Sequence, residues 1–393
     1  MPYVTFLKTV GTPHRFNPAL PDLDRLLDDD FDLNANIPEI VLPQAQYTRN
    51  ITTYLADDNS SYLNLLSRYS QENNRLTLRR LAETYAPLMQ EDMSSHYDTF
   101  HIPKRTGGMR RIDAPHPELM NALRNIKDTF ELRMRVLCHD AAHAYTPGRS
   151  TITALKKHQE NRSRWFLKID LKDFFPSHNL DYILNTISKI YPFSVLMRHE
   201  ATFLCIRDLI KLGLLNDQLP QGTPLSPYLT NLLMVPFDHK LTEKLKADPD
   251  HHYIYTRYAD DLMISCTHKF LQQTVTRYIQ EILREMNAPF TIKAEKIRFG
   301  SNAGRNWNLG IMLNKDNNLT IGHKQNQRFR AAVFNFLKDF EAGNPWSRED
   351  TQVLLGQISY YKAIEPDYVK AVIERYNTRQ TCDFHEIAKS ILN

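Results

Sequence analysis

The spacing of apolar residues divides the chain into three stretches that differ in texture. Residues 1–97 are mostly polar, and the runs SYLNLLSRYS and RLTLRRLAETYAPLM carry apolar residues at helical spacing, which predicts two small packing helices. From residue 98 onward, short β-prone runs alternate with helical ones. Beyond Lys324 the spacing is helical throughout. We therefore expect three structurally distinct regions along the chain.

The middle stretch contains the runs that predict strands. Residues 98–115 predict two short strands around a Gly107-Gly108 turn, WFLKID predicts a strand that ends on Asp170, and HYIYTRYADDLMISC predicts a hairpin. A further strand is predicted over residues 290–299. Helical spacing fills the intervals, over residues 118–137, 179–190, 199–213, 228–245 and 268–286. This order is typical of an α+β fold with helices on one face of a small antiparallel sheet.

Composition agrees with a large folded protein and narrows its class only slightly. The chain has 393 residues, of which 42% are hydrophobic and 24% charged, so it can bury a sizeable core. Its net charge of +4 is mildly basic and identifies no partner by itself. No apolar run approaches the roughly 18 residues that a membrane span needs, and the first residues lack a signal-peptide pattern. We expect a cytoplasmic protein with no membrane partner.

The four cysteines argue against two classes of small structural site. Cys138, Cys205, Cys266 and Cys382 lie far apart in the sequence, and no CxxC or paired Cys/His spacing is present. A disulfide scaffold and a zinc site are therefore both excluded as expectations. The cysteines are interpreted as thiols in a reducing compartment.

Acidic residues supply the first candidate chemistry. Asp260 and Asp261 lie at the turn of the predicted hairpin, where aspartates are common for conformational reasons alone. A fold that brought Asp170 beside them would gather carboxylates with no obvious cationic partner, which is costly unless a divalent cation neutralises them. Such a cluster, holding two magnesium ions about 4 Å apart, is the arrangement used for in-line phosphoryl transfer. The pattern therefore favours nucleotidyl transfer.

Between these carboxylates lies the run Gln221-Gly222-Thr223-Pro224-Leu225-Ser226-Pro227. Its glycine and prolines predict a rigid loop before a helix, and taken alone they indicate nothing more. In the order carboxylate strand, QGxPxSP loop and YADD hairpin, however, the three motifs together resemble the palm of reverse transcriptases.

The surrounding motifs extend this resemblance to bacterial retron and group II intron reverse transcriptases, and most of all to the stand-alone defence-associated enzymes. They are F-x-I-P-K-x-x-G-G-x-R-x-I-x-A-P (Phe100 to Pro115), A-Y-x-x-G-R-S (Ala144 to Ser150), LKIDLKDFFPS, TRYADDLMIS and LGIMLN. The likeness covers roughly residues 98–376. The chain departs from retron enzymes at Thr153–His158, TALKKH, where those enzymes usually carry N-A-x-x-H, and it has no clear V-T-G element.

The resemblance implies a right-hand polymerase with fingers, a palm and a helical thumb. The implied regions are an N-terminal helical extension (1–97), fingers (98–165), a palm (166–322, with part of the fingers inserted between 180 and 220), and a helical thumb with a C-terminal tail (323–393).

The resemblance also implies roles for residues at the metal site. Asp170 and Asp260 would hold two Mg²⁺ ions, for which Mn²⁺ can substitute, with Asp261 completing the site and the Leu171 carbonyl helping. Lys296 matches a lysine that protonates the pyrophosphate leaving group, which is a general-acid role. Lys293 is a near competitor for that role.

A second set of residues would contact the incoming nucleotide. These residues are Lys104, Arg110, Arg111, Asp173, Phe174, Phe175, Gln221 and Gly222. The basic ones would hold the triphosphate, as would the backbone amides of Asp173 and Phe174. Phe175 falls at the sugar-gate position, where a bulky ring collides with a 2′-hydroxyl and selects dNTPs over rNTPs. A core phenylalanine is the alternative interpretation.

The implied function is an RNA-directed DNA polymerase, a nucleotidyltransferase that adds dNTPs to a DNA strand. Its expected partners are an RNA template, in particular a non-coding RNA copied in antiphage defence, a DNA product or primer, and an accessory defence protein or further copies of the chain. The alternatives are template-independent or protein-primed DNA synthesis by the same site, an atypical retron enzyme that makes multicopy single-stranded DNA, and a catalytically silent RNA-binding scaffold.

Overall fold

The structure is a computed structural model that describes residues 60–103, 107–134, 136, 138–302, 310–314, 316–380 and 382–392. Lys104, for which a triphosphate contact is predicted, lies outside these residues. The α-helices within them are α1 (Ser60–Tyr85), α2 (Pro117–Asp128), α3 (Thr151–Glu160), α4 (Leu180–Ile187), α5 (Phe193–Leu196), α6 (Glu200–Leu212), α7 (Leu225–Leu233), α8 (Val235–Lys246), α9 (Gln272–Glu285), α10 (His323–Glu341), α11 (Arg348–Lys362), α12 (Pro366–Gln380) and α13 (Phe384–Leu392).

The strands are short, and most of them form antiparallel hairpins. They are β1 (Tyr97–Pro103), β2 (Met109–Pro115), β3 (Trp165–Asp170), β4 (Ile254–Tyr258), β5 (Asp261–Cys266), β6 (Arg298–Ser301), β7 (Met312–Leu313) and β8 (Leu319–Thr320). β1 pairs with β2 and β7 with β8, while the other four form one sheet in the order β4-β5-β3-β6. The predicted α+β class is confirmed.

The chain folds as two compact units. Among the described residues, the first comprises 60–87 together with Tyr191–Leu209, and within it α1 packs against α5. The second comprises Leu88–Ile190 and Ile210–Asn393 and contains the four-stranded sheet and the C-terminal helices. The proposed borders of fingers, palm and thumb are not tested by this division and stay predictions.

One face of the four-stranded sheet is apolar and covered by helices. Leu167 and Ile169 of β3 and Leu262 and Ile264 of β5 are fully buried there, packed against apolar residues of α8 and α9. The alternation of side chains along a strand places all four on this face. Each fully buried aliphatic side chain contributes roughly 1.5–3 kcal/mol, so this face stabilises the unit.

The opposite face is divided between a packed end and a polar end. At the packed end, Phe166 and Met263 contact Leu155 of α3 and residues of the β7–β8 hairpin. The fully buried His158 of α3 also bonds to Ser265 and Thr256 there, at 2.5 Å and 2.8 Å. The polar end of the same face, where β3 ends and β5 begins, carries the acidic residues.

The helical pattern beyond Lys324 is confirmed for the described residues. Helices α10 to α13 share one core, in which Phe329, Phe336, Leu354 and Phe384 are buried. No helix in the described part of the chain is long and apolar enough to cross a membrane.

Several predicted boundaries were wrong. In place of the two small helices predicted before residue 90, the structure has the single helix α1. The helix predicted over 118–137 ends at Asp128 and is followed by a π-helical turn to Arg133. The helix predicted over 228–245 is divided at Met234 into α7 and α8. Pro236 accounts for the break, since a proline is accepted in the first turn of a helix but not in its interior.

The strand predicted over residues 290–299 was also wrong, in a way that matters for the site. Residues 294–296 form a 3₁₀ turn, and only Arg298–Ser301 pairs as β6. Before the turn, the amide of Lys293 donates to the carbonyl of Asp170 and that of Lys172 donates to Thr291, each at 2.8 Å. These bonds hold the segment alongside the end of β3, so the turn leaves Lys296 beside Asp170.

Candidate active site

The carboxylates predicted to act together lie at one edge of the sheet. Asp170 is the last residue of β3 and Asp261 the first of β5, and the antiparallel register places them directly opposite each other. Directly opposed residues have their Cβ atoms about 4.5–5.5 Å apart. Asp260 precedes Asp261 in the turn, and its carbonyl accepts a 3.1 Å bond from the amide of Leu171. The structure therefore brings the three aspartates together.

The turn that presents Asp260 has an unusual backbone. β4 ends at Tyr258 and β5 begins at Asp261, so the loop consists of Ala259 and Asp260 alone. Ala259 has a φ of 56°, in the left-handed region that costs a non-glycine residue about 1–2 kcal/mol. Such conformations persist where the surrounding structure fixes them, and they concentrate at functional sites.

The environment of Asp260 disfavours its negative charge. Burial raises the pKa of Asp260 to about 6, and the neighbouring carboxylates of Asp261 and Asp170 add to the effect. Repulsion among like charges and the loss of hydration both favour the protonated form. A cation at this edge would relieve both effects.

The expectation that these carboxylates lack cationic partners was wrong. The Lys168 ammonium donates to Asp261 Oδ2 at 2.7 Å, and the Lys296 ammonium donates to Asp170 Oδ2 at 2.8 Å. Lys168 was missed because it lies within the apolar run of β3. Its position two residues before Asp170 places it on the same face of the strand, which is the signal that could have identified it.

The donor groups fit a divalent cation in chemistry, although they are arranged as ion pairs. Among the described residues, no group of three His, Cys, Asp or Glu side chains is arranged to hold a metal ion. Asp170 and Asp261 are engaged by lysines, and Asp260 is the carboxylate whose charge is least compensated. Carboxylate and carbonyl oxygens are the ligands that Mg²⁺ and Mn²⁺ prefer.

Lys296 is placed where a proton donor would act. Its bond to Asp170 raises the pKa of the Lys296 ammonium, which therefore holds its proton at neutral pH. The side chain is 48% exposed, so it can exchange the carboxylate for another anion. Within the described residues, the Lys293 side chain makes no hydrogen bond or ion pair with these carboxylates, which favours Lys296 as the acid.

The β1–β2 hairpin separates the two arginines that were predicted as equivalent. Arg110 lies opposite Ile102 and Arg111 opposite His101, so their side chains emerge on opposite faces of the ribbon. Arg111 bonds to Asp113 at 2.8 Å. Arg110 is exposed and makes no ion pair with any described residue. Arg110 is thus the arginine available to a ligand.

The residues after Asp170 turn sharply. Asp173 is exposed with a φ of 52°, and its carbonyl accepts bonds from the amide and hydroxyl of Ser177 at 3.1 Å and 2.6 Å. Within the described residues, the amides of Asp173 and Phe174 donate to no protein acceptor. Successive free amides around a left-handed residue form a concavity that suits anions.

The two phenylalanines that follow have different surroundings. Phe174 is 3% exposed and contacts the rings of Phe290 and His178. Phe175 is only partly buried and packs against the edge of the same core. Of the two, Phe175 is therefore the one with surface to offer a substrate.

The Gln221–Gly222 loop docks on the β1–β2 hairpin. The Gln221 carbonyl accepts a 2.8 Å bond from the Asp113 amide. Gly222 has a φ of 126°, and a Cβ atom there would approach the Asp113 carbonyl oxygen to 2.7 Å. Only glycine fits such an approach. The loop thus positions the hairpin, and whether it also touches nucleotide stays a prediction.

Beneath the Ala259–Asp260 turn lies a buried ion pair that sequence reasoning missed. Arg257 and Asp238 are both fully buried and joined at 2.8 Å, and the Tyr255 hydroxyl donates to the same carboxylate at 2.7 Å. Arg257 Nη1 also donates to the Ala259 carbonyl at 3.1 Å. The signal was an arginine on the apolar face of a strand, since a buried charge requires a partner.

Comparison with known proteins agrees with this geometry. Residues 102–335 match the family profile described as reverse transcriptase (RNA-dependent DNA polymerase). The chain belongs to the reverse transcriptase family. It is accordingly an RNA-directed DNA polymerase with the right-hand fold of that family, and reverse transcriptases use divalent metal ions.

Several relatives are retron reverse transcriptases. The Escherichia coli retron Ec83 enzyme is 27% identical over 304 residues, which is 76% of this chain and 93% of that protein. The retron Ec73 enzyme of the same species is 28% identical, with 70% and 85% covered. The retron Mx65 enzyme of Myxococcus xanthus is 28% identical, with 73% and 65% covered.

Solved structures of telomerase also resemble the chain. Apo telomerase from Candida tropicalis is 13% identical, with a TM-score of 0.41 over 75% of this chain and 63% of that one. Telomerase from Candida albicans with a fragment of telomeric RNA has the same TM-score and coverage at 10% identity. A TM-score this low supports no further conclusion.

Proposed function

We propose that this reverse transcriptase copies a partner non-coding RNA into DNA in antiphage defence, at a site formed by Asp170, Asp260 and Asp261. The observation that carries the site assignment is the pairing of Asp170 with Asp261 across β3 and β5, with Asp260 in the adjoining turn. Two Mg²⁺ ions, or Mn²⁺ in their place, would be held by these carboxylates and the Leu171 carbonyl. Within the described residues, that carbonyl accepts no hydrogen bond.

The surrounding residues have distinct tasks in this proposal. When bound, the metal ions supply charge neutralisation at the transferring phosphoryl group. Arg110 and the free amides of Asp173 and Phe174 bind the triphosphate, since guanidinium and amide groups both suit phosphate oxygens. Lys296 holds the proton that the pyrophosphate takes up as it leaves.

The biological part of the proposal rests on the relatives. The Ec83 and Ec73 relatives are retron reverse transcriptases, which supports an RNA template and a DNA product for this chain as well. We place the reaction in the cytoplasm, with the primer supplied by nucleic acid. An accessory defence protein or further copies of the chain are the expected protein partners.

Sequencing the nucleic acid that copurifies with the protein tests this proposal. The wild-type chain is expected to carry one recurrent RNA together with DNA complementary to it. The Asp260→Asn variant, which keeps size and hydrogen bonding, is expected to carry the RNA without the DNA.

Other outcomes point to the alternatives. DNA of random sequence that forms after RNase treatment would indicate template-independent synthesis, and DNA bonded to the protein would indicate protein priming. DNA joined covalently to RNA would indicate a retron product. Complementary DNA in the Asp260→Asn variant would contradict the site assignment itself.

A further inference from the structure

Tyr145 is a half-exposed aromatic residue held in a strained backbone conformation. It belongs to the A-Y-x-x-G-R-S run, to which no function has been assigned above. Its φ is 55°, in the left-handed region, and its side chain is 49% exposed. A large side chain in this conformation is uncommon, and it persists only where the surroundings fix it.

A buried hydrogen-bond network fixes this residue relative to the catalytic turn. The Asn231 amide nitrogen donates to the Ala144 carbonyl at 2.6 Å, and Arg257 Nη1 donates to the Asn231 side-chain oxygen at 2.9 Å. The same Nη1 donates to the Ala259 carbonyl. One guanidinium group, itself held by Asp238, therefore connects the residues that precede Tyr145 and Asp260.

The backbone reinforces this connection. The Arg257 amide donates to the Ala141 carbonyl at 2.6 Å, and the His143 amide donates to the Arg257 carbonyl at 2.8 Å. The segment before Tyr145 thus runs along β4 as a short additional edge. Two left-handed residues, Tyr145 and Ala259, are consequently connected through this network.

Charged groups of the candidate site act on the Tyr145 phenol. Burial raises the pKa of the Tyr145 phenol most, Asp260 and Tyr258 raise it further, and Arg110 lowers it. Asp260 of the carboxylate edge and Arg110 are therefore both close enough to act on the ring's hydroxyl. The half-exposed ring offers a flat, neutral surface beside these groups.

We propose that the Tyr145 ring is a stacking surface for a nucleobase at the growing end of the primer–template duplex. The inference rests on the proposed function of the carboxylate edge. A base suits this position because every base has a π-face that can lie on the exposed Tyr145 ring. Replacing a stacking aromatic residue with alanine weakens binding by about 1–3 kcal/mol per base, which is about 5- to 150-fold in affinity.

Three substitutions separate the ring from the hydroxyl and the backbone. Tyr145→Phe keeps the ring, Tyr145→Ala removes it, and Tyr145→Gly removes it while relieving the left-handed strain. Phe340→Ala is the matched control, since Phe340 is a comparably exposed aromatic, at 37%, in the C-terminal part of α10. Each purified full-length variant is assayed for affinity to a defined RNA–DNA primer–template and for dNTP incorporation, with thermal unfolding recorded in parallel.

Tyr145→Phe and Phe340→Ala are expected to bind the duplex within about twofold of wild type, and Tyr145→Ala and Tyr145→Gly about 5- to 150-fold more weakly. A loss in Tyr145→Phe equal to that in Tyr145→Ala would overturn stacking in favour of a hydroxyl contact. Wild-type duplex affinity in Tyr145→Gly would show that the ring is not needed and would overturn the proposal. If Tyr145→Ala binds weakly because it is unfolded, the affinity of Tyr145→Gly decides, since glycine relieves the backbone strain.

Asp260→Asn, measured alongside, distinguishes failure of this inference from failure of the proposed site. It is expected to abolish incorporation while binding the duplex normally. If Asp260→Asn is inactive and Tyr145→Ala matches wild type, the stacking role is wrong and the site stands. If Asp260→Asn is active, the site assignment fails whatever the Tyr145 variants do.

Discussion

The two faces of the four-stranded sheet are built from the same strands, but one face is apolar and the other carries charged residues. On one face Leu167, Ile169, Leu262 and Ile264 are fully buried against helices. On the other face, the residues that alternate with them include Lys168, Asp170 and Asp261, none of which is fully buried. The apolar face gains stability by excluding water, whereas the polar end of the other face concentrates charge that costs stability.

This contrast shows how a short strand can serve both stability and chemistry. Because side chains alternate, β3 can anchor itself through Leu167 and Ile169 while it presents Lys168 and Asp170 at an edge. The aspartates stay in place because the backbone under them is fixed by the apolar face and by the Arg257–Asp238 pair. Substitutions on the two faces should therefore affect different properties.

The largest effect is expected at Asp260. Asp260→Asn removes one negative charge from the carboxylate edge, so dNTP incorporation should fall by at least two or three orders of magnitude, as measured in a primer-extension assay. Near-normal incorporation would refute the metal-site assignment.

The same substitution should stabilise the metal-free protein. The pKa of Asp260 is about 6 when folded, against a usual 3.8, so between about pH 4 and pH 6 the folded state binds more protons than the unfolded one. The wild type therefore loses stability as pH rises through this window, by up to about 3 kcal/mol in the limit of full ionisation. The advantage of Asp260→Asn should be largest above pH 7 and vanish below about pH 4. Thermal unfolding across this range checks it, and an advantage that grows on acidification would contradict the raised pKa.

Ile264→Ala tests the apolar face, where we expect the reverse of Asp260→Asn, namely a loss of stability with unchanged incorporation. Ile264 is fully buried, so its truncation should lower the free energy of unfolding by about 2–5 kcal/mol. Incorporation per folded molecule should stay near that of wild type, since the carboxylate edge is untouched. Denaturant unfolding and active-site-normalised kinetics measure the two quantities. A large loss of turnover in the folded protein would show that the two faces are not separable.

The strands and the acidic residues of the sheet could be predicted from the sequence, whereas the partners of its buried and half-buried charges could not. The β-prone runs of β3, β4 and β5 predicted the strands of the sheet, and Asp170, Asp260 and Asp261 were predicted from their motifs. The ion pairs of Lys168 and Arg257 were not predicted, because a charge inside an apolar run acquires its partner only through register and long-range packing. The 3₁₀ turn before β6 escaped prediction for the same reason, since bonds to the end of β3 fix it.

Phe175 lies five residues after Asp170, just beyond the end of β3, and Phe175→Ala tests whether it selects the sugar or packs in the core. Phe175 is partly buried, whereas its neighbour Phe174 is 3% exposed in the core. Phe175→Ala should raise rNTP incorporation markedly and leave dNTP use largely intact, because the ring no longer collides with a 2′-hydroxyl. Phe174→Ala, as the matched control, should mainly lose about 3–5 kcal/mol of stability. Competition between dNTP and rNTP in primer extension, with unfolding of both variants, decides it. If Phe175→Ala loses stability to the same extent with no change in rNTP use, Phe175 is a packing residue.

The smallest effect is expected from the two arginines of the β1–β2 hairpin, where alternation again separates neighbours. Arg110 is exposed, and its charge lowers the pKa of the Tyr145 phenol, while Arg111 is engaged with Asp113 on the opposite face. Arg110→Ala should raise the Michaelis constant for dNTP several-fold without changing duplex affinity, because the duplex is held by many phosphate contacts elsewhere.

Arg111→Ala should leave that Michaelis constant nearly unchanged, since Arg111 is engaged with Asp113 on the face of the hairpin opposite Arg110. Steady-state kinetics and the salt dependence of duplex binding are measured on both variants. If both arginines instead belong to a general nucleic-acid surface, each variant would lower the slope of log affinity against log salt by about one unit, with dNTP kinetics unaltered. That result would remove the distinction between the two sides of the hairpin and with it the assignment of Arg110 to the triphosphate.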